Sequence, residues 1–414
     1  MNDFIQEINL LQKDGIHIDE KKYAVQLKHI ICDIQARKFL KQIKGHGGYA
    51  ACERCEVYGK CITYPNQRVV YPDPDCTKRS NESFRRQQQK EHHISISPLL
   101  HIEPPIDMIH AFPLDYMHMC CLGVTKKFYV MDLIFNKTAV KLTSSFRQKL
   151  FKRIIHLKPF VPHEFQRKPR PFVPNLKASE LRFIALYAGP IIFKGILNRD
   201  LYNHFLLFSI ALRILCMENF AQKFNDAAKS YLKNYFLLLP TFYGEKSHVL
   251  NAHYLLHLAD DVRIHNCTLN EISAFPFENH LGLMRNFLHS ANKPLSQICR
   301  RMHKANIIIN QKTVIPPKLI ILKQKDIDNN HKLLLKLKYQ NFLITTKSPN
   351  DLVMLNDCSV IKIVSLGYYC ENENDITISG VYWMKKKSIF EYPTNSAHLY
   401  MWQLKKTVQR RHCV

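Results

Sequence analysis

The segment from Val25 to Cys61 constrains this chain more than any other. Residues 25–33 read Val-Gln-Leu-Lys-His-Ile-Ile-Cys-Asp, a run that predicts a buried strand closing on Asp33. Helix-like residues follow from Ile34 to Ile43. Then come Lys44-Gly45-His46-Gly47-Gly48-Tyr49-Ala50-Ala51-Cys52-Glu53-Arg54-Cys55, with Cys61 shortly after. An acid at the carboxyl end of a strand sits where open α/β sheets gather active-site groups. Cys52-x-x-Cys55 with His46 and Cys61 offers four soft or borderline ligands to one structural zinc ion, and Cys76 is a substitute for the fourth. Glycines in the segment let the chain wrap around such an ion. The plainer reading of Cys52 and Cys55 is two reduced, partly buried thiols.

Length and charge set the remaining bounds. A chain of 414 residues exceeds one ordinary core and implies two or three domains, and a hydrophobic fraction of 46% is that of a globular protein. Glycine is scarce, at 12 residues, and neither GxxxxGK[ST] nor GxGxxG occurs, which argues against a phosphate-cradling loop. The absence of GxSxG removes support for a serine hydrolase. The opening residues lack a signal peptide's basic and apolar regions, and no apolar run reaches the ~20 residues of a spanning helix. The expected setting is a reducing nucleus or cytoplasm, away from membranes, where the 13 cysteines favour metal over disulfides. Lys and Arg number 59 against 34 Asp and Glu, a formal charge of +25 that attracts polyanions, with DNA the expected partner. Lys385–Lys387, Lys405-Lys406 and Arg410-Arg411 suit nuclear import or plain solvated surface.

Along the chain, residues 52–98 are polar and irregular, with Pro65, Pro72 and Pro74. A helix is expected from near Asp115 through Phe128 to Leu133, behind the boundary set by Pro113. Apolar residues recur at helical spacing over 140–270, as at Leu201, Phe205, Phe208 and Leu212, and at Leu250, Tyr254, Leu255 and Leu258. The early part, 141–182, is strongly basic. A further helix is expected near Pro276, carrying Glu278 in its first turn. Beyond about 330, β-branched runs at 341–345, 359–364, 376–383 and 398–402 predict a small antiparallel β domain.

Three acids, Asp33, Asp115 and Glu278, are candidates to hold two Mg²⁺ ions for nucleic-acid strand transfer or hydrolysis. The competing role for each is a helix cap or a surface charge. Asp115 and His118 share one helix face, so the carboxylate can orient the imidazole as a base or metal ligand, or simply bond a buried neighbour. His253 and His257 stand four apart, a metal-compatible spacing, but without the HExxH glutamate they read better as core or interface histidines.

Taken in order, Asp33-Ile34-Gln35-Ala36-Arg37, Lys44-Gly45-His46-Gly47-Gly48-Tyr49, Cys52-x-x-Cys55, Phe112-Pro113-Leu114-Asp115-Tyr116-Met117-His118 and Phe275-Pro276-Phe277-Glu278-Asn279 resemble transposase-derived proteins of animal genomes related to the plant CACTA (En/Spm) transposases. The resemblance spans about residues 25–410. It implies a DDE transposase with a ribonuclease-H-like core interrupted by a helical insertion, and acids that bind Mg²⁺ or Mn²⁺. Asp33 would be the second acid and Glu278 the third, with Asp115 and His118 on an auxiliary motif. The fold class implied is α/β plus an all-α insertion: 1–50 a partial ribonuclease-H-like core, 51–100 a zinc-knuckle connector, 101–139 the Asp-x-x-His helix, 140–270 the basic insertion, 271–325 the return to the core, and 326–414 the small β domain.

The family's first acid lies in an Asp-Gly context on an upstream strand, and Asp14-Gly15 is a poor match to it. The expectation is therefore a truncated or domesticated transposase that binds DNA and divalent metal but has lost strand transfer. The alternative is a non-enzymatic, zinc-stabilised DNA- or protein-binding module. Homo-oligomers are compatible with either, and no small-molecule substrate is expected.

Overall fold

The computed structural model describes residues 1–64, 66–310, 319–326, 331–355, 357, 359–369, 376–383, 385–405 and 410–413. They divide into two compact units, residues 1–148 with 172–277, and residues 149–171 with 278–414. The helical residues expected over 140–270 are thus shared between the two.

The first unit is largely helical. Helix Arg199–Cys216 begins at Asn198, whose side chain accepts from the Leu201 amide at 2.8 Å and satisfies one of the orphan donors of the first turn. The expected face of Leu201, Phe205, Phe208 and Leu212 is buried. This helix packs on Asn225–Tyr243, which packs in turn on Leu255–His265. The helix expected from Asp115 runs over Met117–Phe135 and has the wide i→i+5 pitch, closed at its end by the Asn136 amide on the Met131 carbonyl at 2.7 Å. It is buried along most of its length, and its Tyr129 ring meets Phe205 edge-on at 4.9 Å.

The strand expected over 25–33 does not form. Among the described residues that segment is irregular and pairs with no strand. Its amides go elsewhere: Leu27 donates to the Gln12 side chain at 2.8 Å and Ile30 to the Ala111 carbonyl at 2.7 Å. Apolar side chains made the run strand-like, but a ladder needs a partner strand, and here irregular chain and a side-chain amide fill that place. Among the described residues the unit's strands are two short antiparallel hairpins, Ile16–Ile18 with Lys21–Tyr23 and Lys60–Ile62 with Arg68–Val70. Residues 52–98 are mostly irregular, as expected, with one short helix at Asn81–Arg85 closed by a reciprocal Ser80–Ser83 capping box.

The second unit carries the expected antiparallel β region. Strands Leu319–Asp326, His331–Tyr339, Val360–Tyr369, Ile376–Trp383 and Arg410–Cys413 lie side by side in that order, with Phe342–Thr345 and Leu352–Met354 added on the second and third. Leu334, Leu337, Ile363 and Leu366 form its buried core. A bulge at Ser379/Gly380 brings Gly380 so near the Lys362 carbonyl that a Cβ there would lie 2.2 Å from the oxygen. Residues 149–171 join this unit through Glu164, which accepts from the Leu343 amide at 2.7 Å, and through His163, whose Nδ1 is 2.7 Å from Asn350 Oδ1. No described helix of either unit is long and apolar enough to cross a membrane.

Candidate metal centre

Cys52 and Cys55 lie on an irregular loop of the first unit, and both are buried. Facing them are His253, the last residue of helix Leu250–His253, and His257, in the first turn of Leu255–His265. Tyr254 interrupts the helix between the two, yet the four-residue spacing still turns both rings to one side. Cys55 Sγ is 3.2 Å from His253 Nε2, Cys52 Sγ is 3.7 Å from His257 Nε2, and the two Nε2 atoms are 3.4 Å apart. All four donor atoms lie within 4.8 Å of one another, so this group can hold a metal such as zinc.

The donor set can be tested against the ion's geometry. Bonds of about 2.3 Å to sulfur and about 2.05 Å to nitrogen, set tetrahedrally, put two nitrogens about 3.4 Å apart and a nitrogen and sulfur about 3.6 Å apart. The observed separations match those edges within a few tenths of an ångström. Electrostatics favours the thiolate at Cys52 and opposes it at Cys55 while no ion is bound. Burial opposes ionisation of Cys52, but a hydrogen bond from Cys55 and the adjacent His257 and His253 rings outweigh it and hold that thiol well below the usual range. The bond to Cys52, together with burial, pushes the Cys55 thiol up. Among the described residues, Nδ1 of His253 meets no hydrogen-bond partner, so the polar contacts of that ring rest on Nε2.

The two residues between the cysteines fix the loop. Glu53 is buried and accepts from Arg37 Nε at 2.8 Å and Lys41 Nζ at 2.9 Å, both on helix Ile34–Lys41. Burial opposes its charge, but the Arg37 and Lys41 cations hold its carboxyl far below the ordinary range. Tyr254, between the two histidines, donates to the same carboxylate at 3.3 Å. Arg54 makes a two-pronged pair with Asp261, 2.9 Å on each prong, and donates to the carbonyls of Ile109 at 2.8 Å and Phe112 at 2.6 Å. Asp261 lies one helical turn beyond His257 and also accepts the Leu114 amide at 2.7 Å. Each half of the donor set is therefore tied to the other by a buried ion pair or hydrogen bond. Such pairs hold geometry better than they add net stability.

The quartet expected from sequence is corrected accordingly. Cys52 and Cys55 stay, and His253 and His257 stand where His46 and Cys61 were expected. His46 is exposed on the Gly45–Gly48 turn, with its Nδ1 3.4 Å from Gln35 Nε2. Cys61 is half-buried on strand Lys60–Ile62. Cys76, the substitute, is half-buried with its Sγ 3.9 Å from the Asp73 carbonyl. His253 and His257 carried a usable signal: a His-x-x-x-His and a Cys-x-x-Cys are each half of a tetrahedral site.

Asp115 and His118 do come together, with Nδ1 of His118 2.5 Å from Asp115 Oδ2. Asp115 also accepts the amides of Met117 at 3.1 Å, His118 at 3.1 Å and Ala274 at 2.9 Å. Burial opposes its charge, but these bonds, that from His118 foremost, hold its carboxyl below the usual range. Four donors on two oxygens leave this carboxylate almost no lone pair for a metal. Asp33 caps helix Ile34–Lys41, accepting the Ala36 amide at 2.7 Å. Glu278 is exposed in the first turn of helix Phe275–Arg285, as expected, and is grouped with the second unit while Asp33 belongs to the first.

Residues 317–414 match the family model described as Domain of unknown function (DUF8592). No curated protein and no solved structure matches the chain.

Proposed function

We propose that this chain is a DNA-binding protein of transposase ancestry whose first unit is held together by one structural zinc ion. The observation that carries this reading is the closed donor set: two thiols and two imidazoles, all buried, account for four tetrahedral positions. A catalytic zinc site keeps a position for water or substrate, whereas a closed site contributes folding free energy. The formal charge of +25 supports a polyanionic partner, and helix Ser144–His156 exposes Lys149, Lys152 and Arg153. The order of motifs supports the ancestry, while the described strands of the first unit, two short hairpins, do not make up the sheet of a ribonuclease-H-like core. Strand transfer with Mg²⁺ or Mn²⁺ is read as lost, because Asp115 is saturated by hydrogen bonds and Asp33 is engaged as a cap.

Titration of the purified chain against duplex and single-stranded DNA at several salt concentrations tests the first part. Affinity should fall steeply with salt, as counterion release demands. Undetectable binding of both forms at about 50 mM salt would refute it. Incubation of supercoiled DNA with Mg²⁺ or Mn²⁺ tests the second part. Nicking that vanishes in both Asp33→Ala and Glu278→Ala would restore the enzymatic reading.

A further inference from the structure

The Gly45–Gly48 turn of the first unit, outside the metal centre, borders two grooves. One, of about 700 Å³, is lined by Lys38, Lys44, Tyr49 and Tyr58, with Glu91 as its one acid. The other is lined by Arg68, Lys127, Gln67 and Asn251. Both are also lined by Gln35, His46 and Gly47, so they meet at the turn. Tyr49 and Tyr58 are 42% and 57% exposed, large for aromatic side chains, yet they lie parallel, with centroids 5.6 Å and planes 8° apart. The stack therefore presents a flat aromatic surface to solvent beside lysines.

The turn itself is shaped for close approach. Its Gly48 amide donates to the Gly45 carbonyl at 2.8 Å. A Cβ on Gly48 would fall 2.8 Å from Lys44 Cβ, and one on Gly45 would fall 3.0 Å from Lys38 Cδ, so these glycines let the two lysines lie against the turn. A Cβ on Gly47 would meet nothing within 4 Å and would point into open space where the grooves join.

We infer that this path binds single-stranded nucleic acid, with an unpaired base stacked on the Tyr49–Tyr58 platform and the phosphates running past Lys44 and Lys38 towards Arg68. The inference rests on the nucleic-acid reading above and deepens it. Two features select a single strand over a duplex. A base must be unpaired to stack on a protein ring, and a groove with cations along it tracks one backbone. Gln35, Gln67 and Asn251 add amide groups able to bond base edges.

Fluorescence anisotropy with a labelled 20-nucleotide oligothymidylate and a duplex of equal length, using the full chain, tests this. The unmodified chain should bind the single strand. Tyr58→Ala should weaken that binding about 10-fold, the typical effect of losing one stacked base, without changing the salt slope. Lys44→Ala should weaken it and lower the slope by about 0.7, one phosphate's share on a single strand. Gly47→Leu should block the path and reduce affinity at least as much. All three positions are exposed, and unchanged melting and zinc content in each variant identify the effect as local. If the chain binds DNA and these variants bind the single strand as tightly as the parent, the groove assignment is overturned and the DNA-binding reading stands. If the parent binds neither oligonucleotide at low salt, that reading falls and this inference falls with it.

Discussion

Removal of one ligand from the buried quartet separates the two possible zinc sites cleanly. Four ligands hold a structural zinc with about 10–16 kcal/mol in small zinc domains, so each contributes about 3 kcal/mol, a loss of about 100-fold or more in affinity when one is removed. His257→Ala should show this, because its Nε2 is the atom 3.7 Å from Cys52 Sγ and 3.4 Å from His253 Nε2. Cys55→Ser should show it as strongly, since a neutral hydroxyl replaces a thiolate. His46→Ala and Cys61→Ser should leave affinity unchanged, because neither side chain belongs to the group. The measurement is competition against a chromogenic chelator at pH 7.5, with zinc content by mass spectrometry of the purified variants. Stability should follow by linkage, so melting temperatures of His257→Ala and Cys55→Ser should drop and lose their response to added zinc. Retention of stoichiometric, tightly held zinc by His257→Ala, with its loss from Cys61→Ser, would refute the assignment.

Arg54→Met should destabilise the first unit by about 3–5 kcal/mol, because it leaves the buried Asp261 carboxylate without its cation, and the double variant Arg54→Met/Asp261→Leu should recover much of that in urea unfolding. His92 is buried, and burial, with the Arg79 charge adding to it, pushes its pKa down to about 3. Below pH ~6.5 the unfolded chain takes up a proton there that the folded chain refuses, so stability is full above that pH and falls towards pH 3 by about 1.4 kcal/mol per unit from this residue. His92→Gln should flatten the pH dependence of unfolding in that window, and an identical slope would contradict the assignment. Gly380→Ala should cost the sheet about 1–3 kcal/mol, read as a lower melting temperature, because its Cβ would collide with the Lys362 carbonyl.

Local pattern made several elements legible. The Leu201–Leu212 face, the helix after Pro113 and the β-rich end all follow from periodicity and punctuation, which are properties of neighbouring residues. The strand ending at Asp33 shows the limit of that logic. An apolar run states only that a strand is possible, and pairing depends on a partner strand that the described residues do not supply. Asp33 and Asp115 illustrate the same point for chemistry. Both sit just ahead of helices, so their carboxylates are taken up by backbone amides of the following turn.

What the amino-acid order determined by itself is the supply of parts: a Cys-x-x-Cys on a turn-rich loop, a His-x-x-x-His at helical spacing, a strong excess of positive charge and the acids at helix starts. What only the tertiary structure decided is which parts meet. Cys52 and Cys55 lie closer along the chain to His46 and Cys61 than to His253 and His257, yet the distant pair completes the group. The cause is the buried pairing of Arg54 with Asp261 and of Glu53 with Tyr254, which sets the loop against the far helix. Such a contact is a matter of burial and charge between segments remote in the chain, and no window of neighbouring residues contains it.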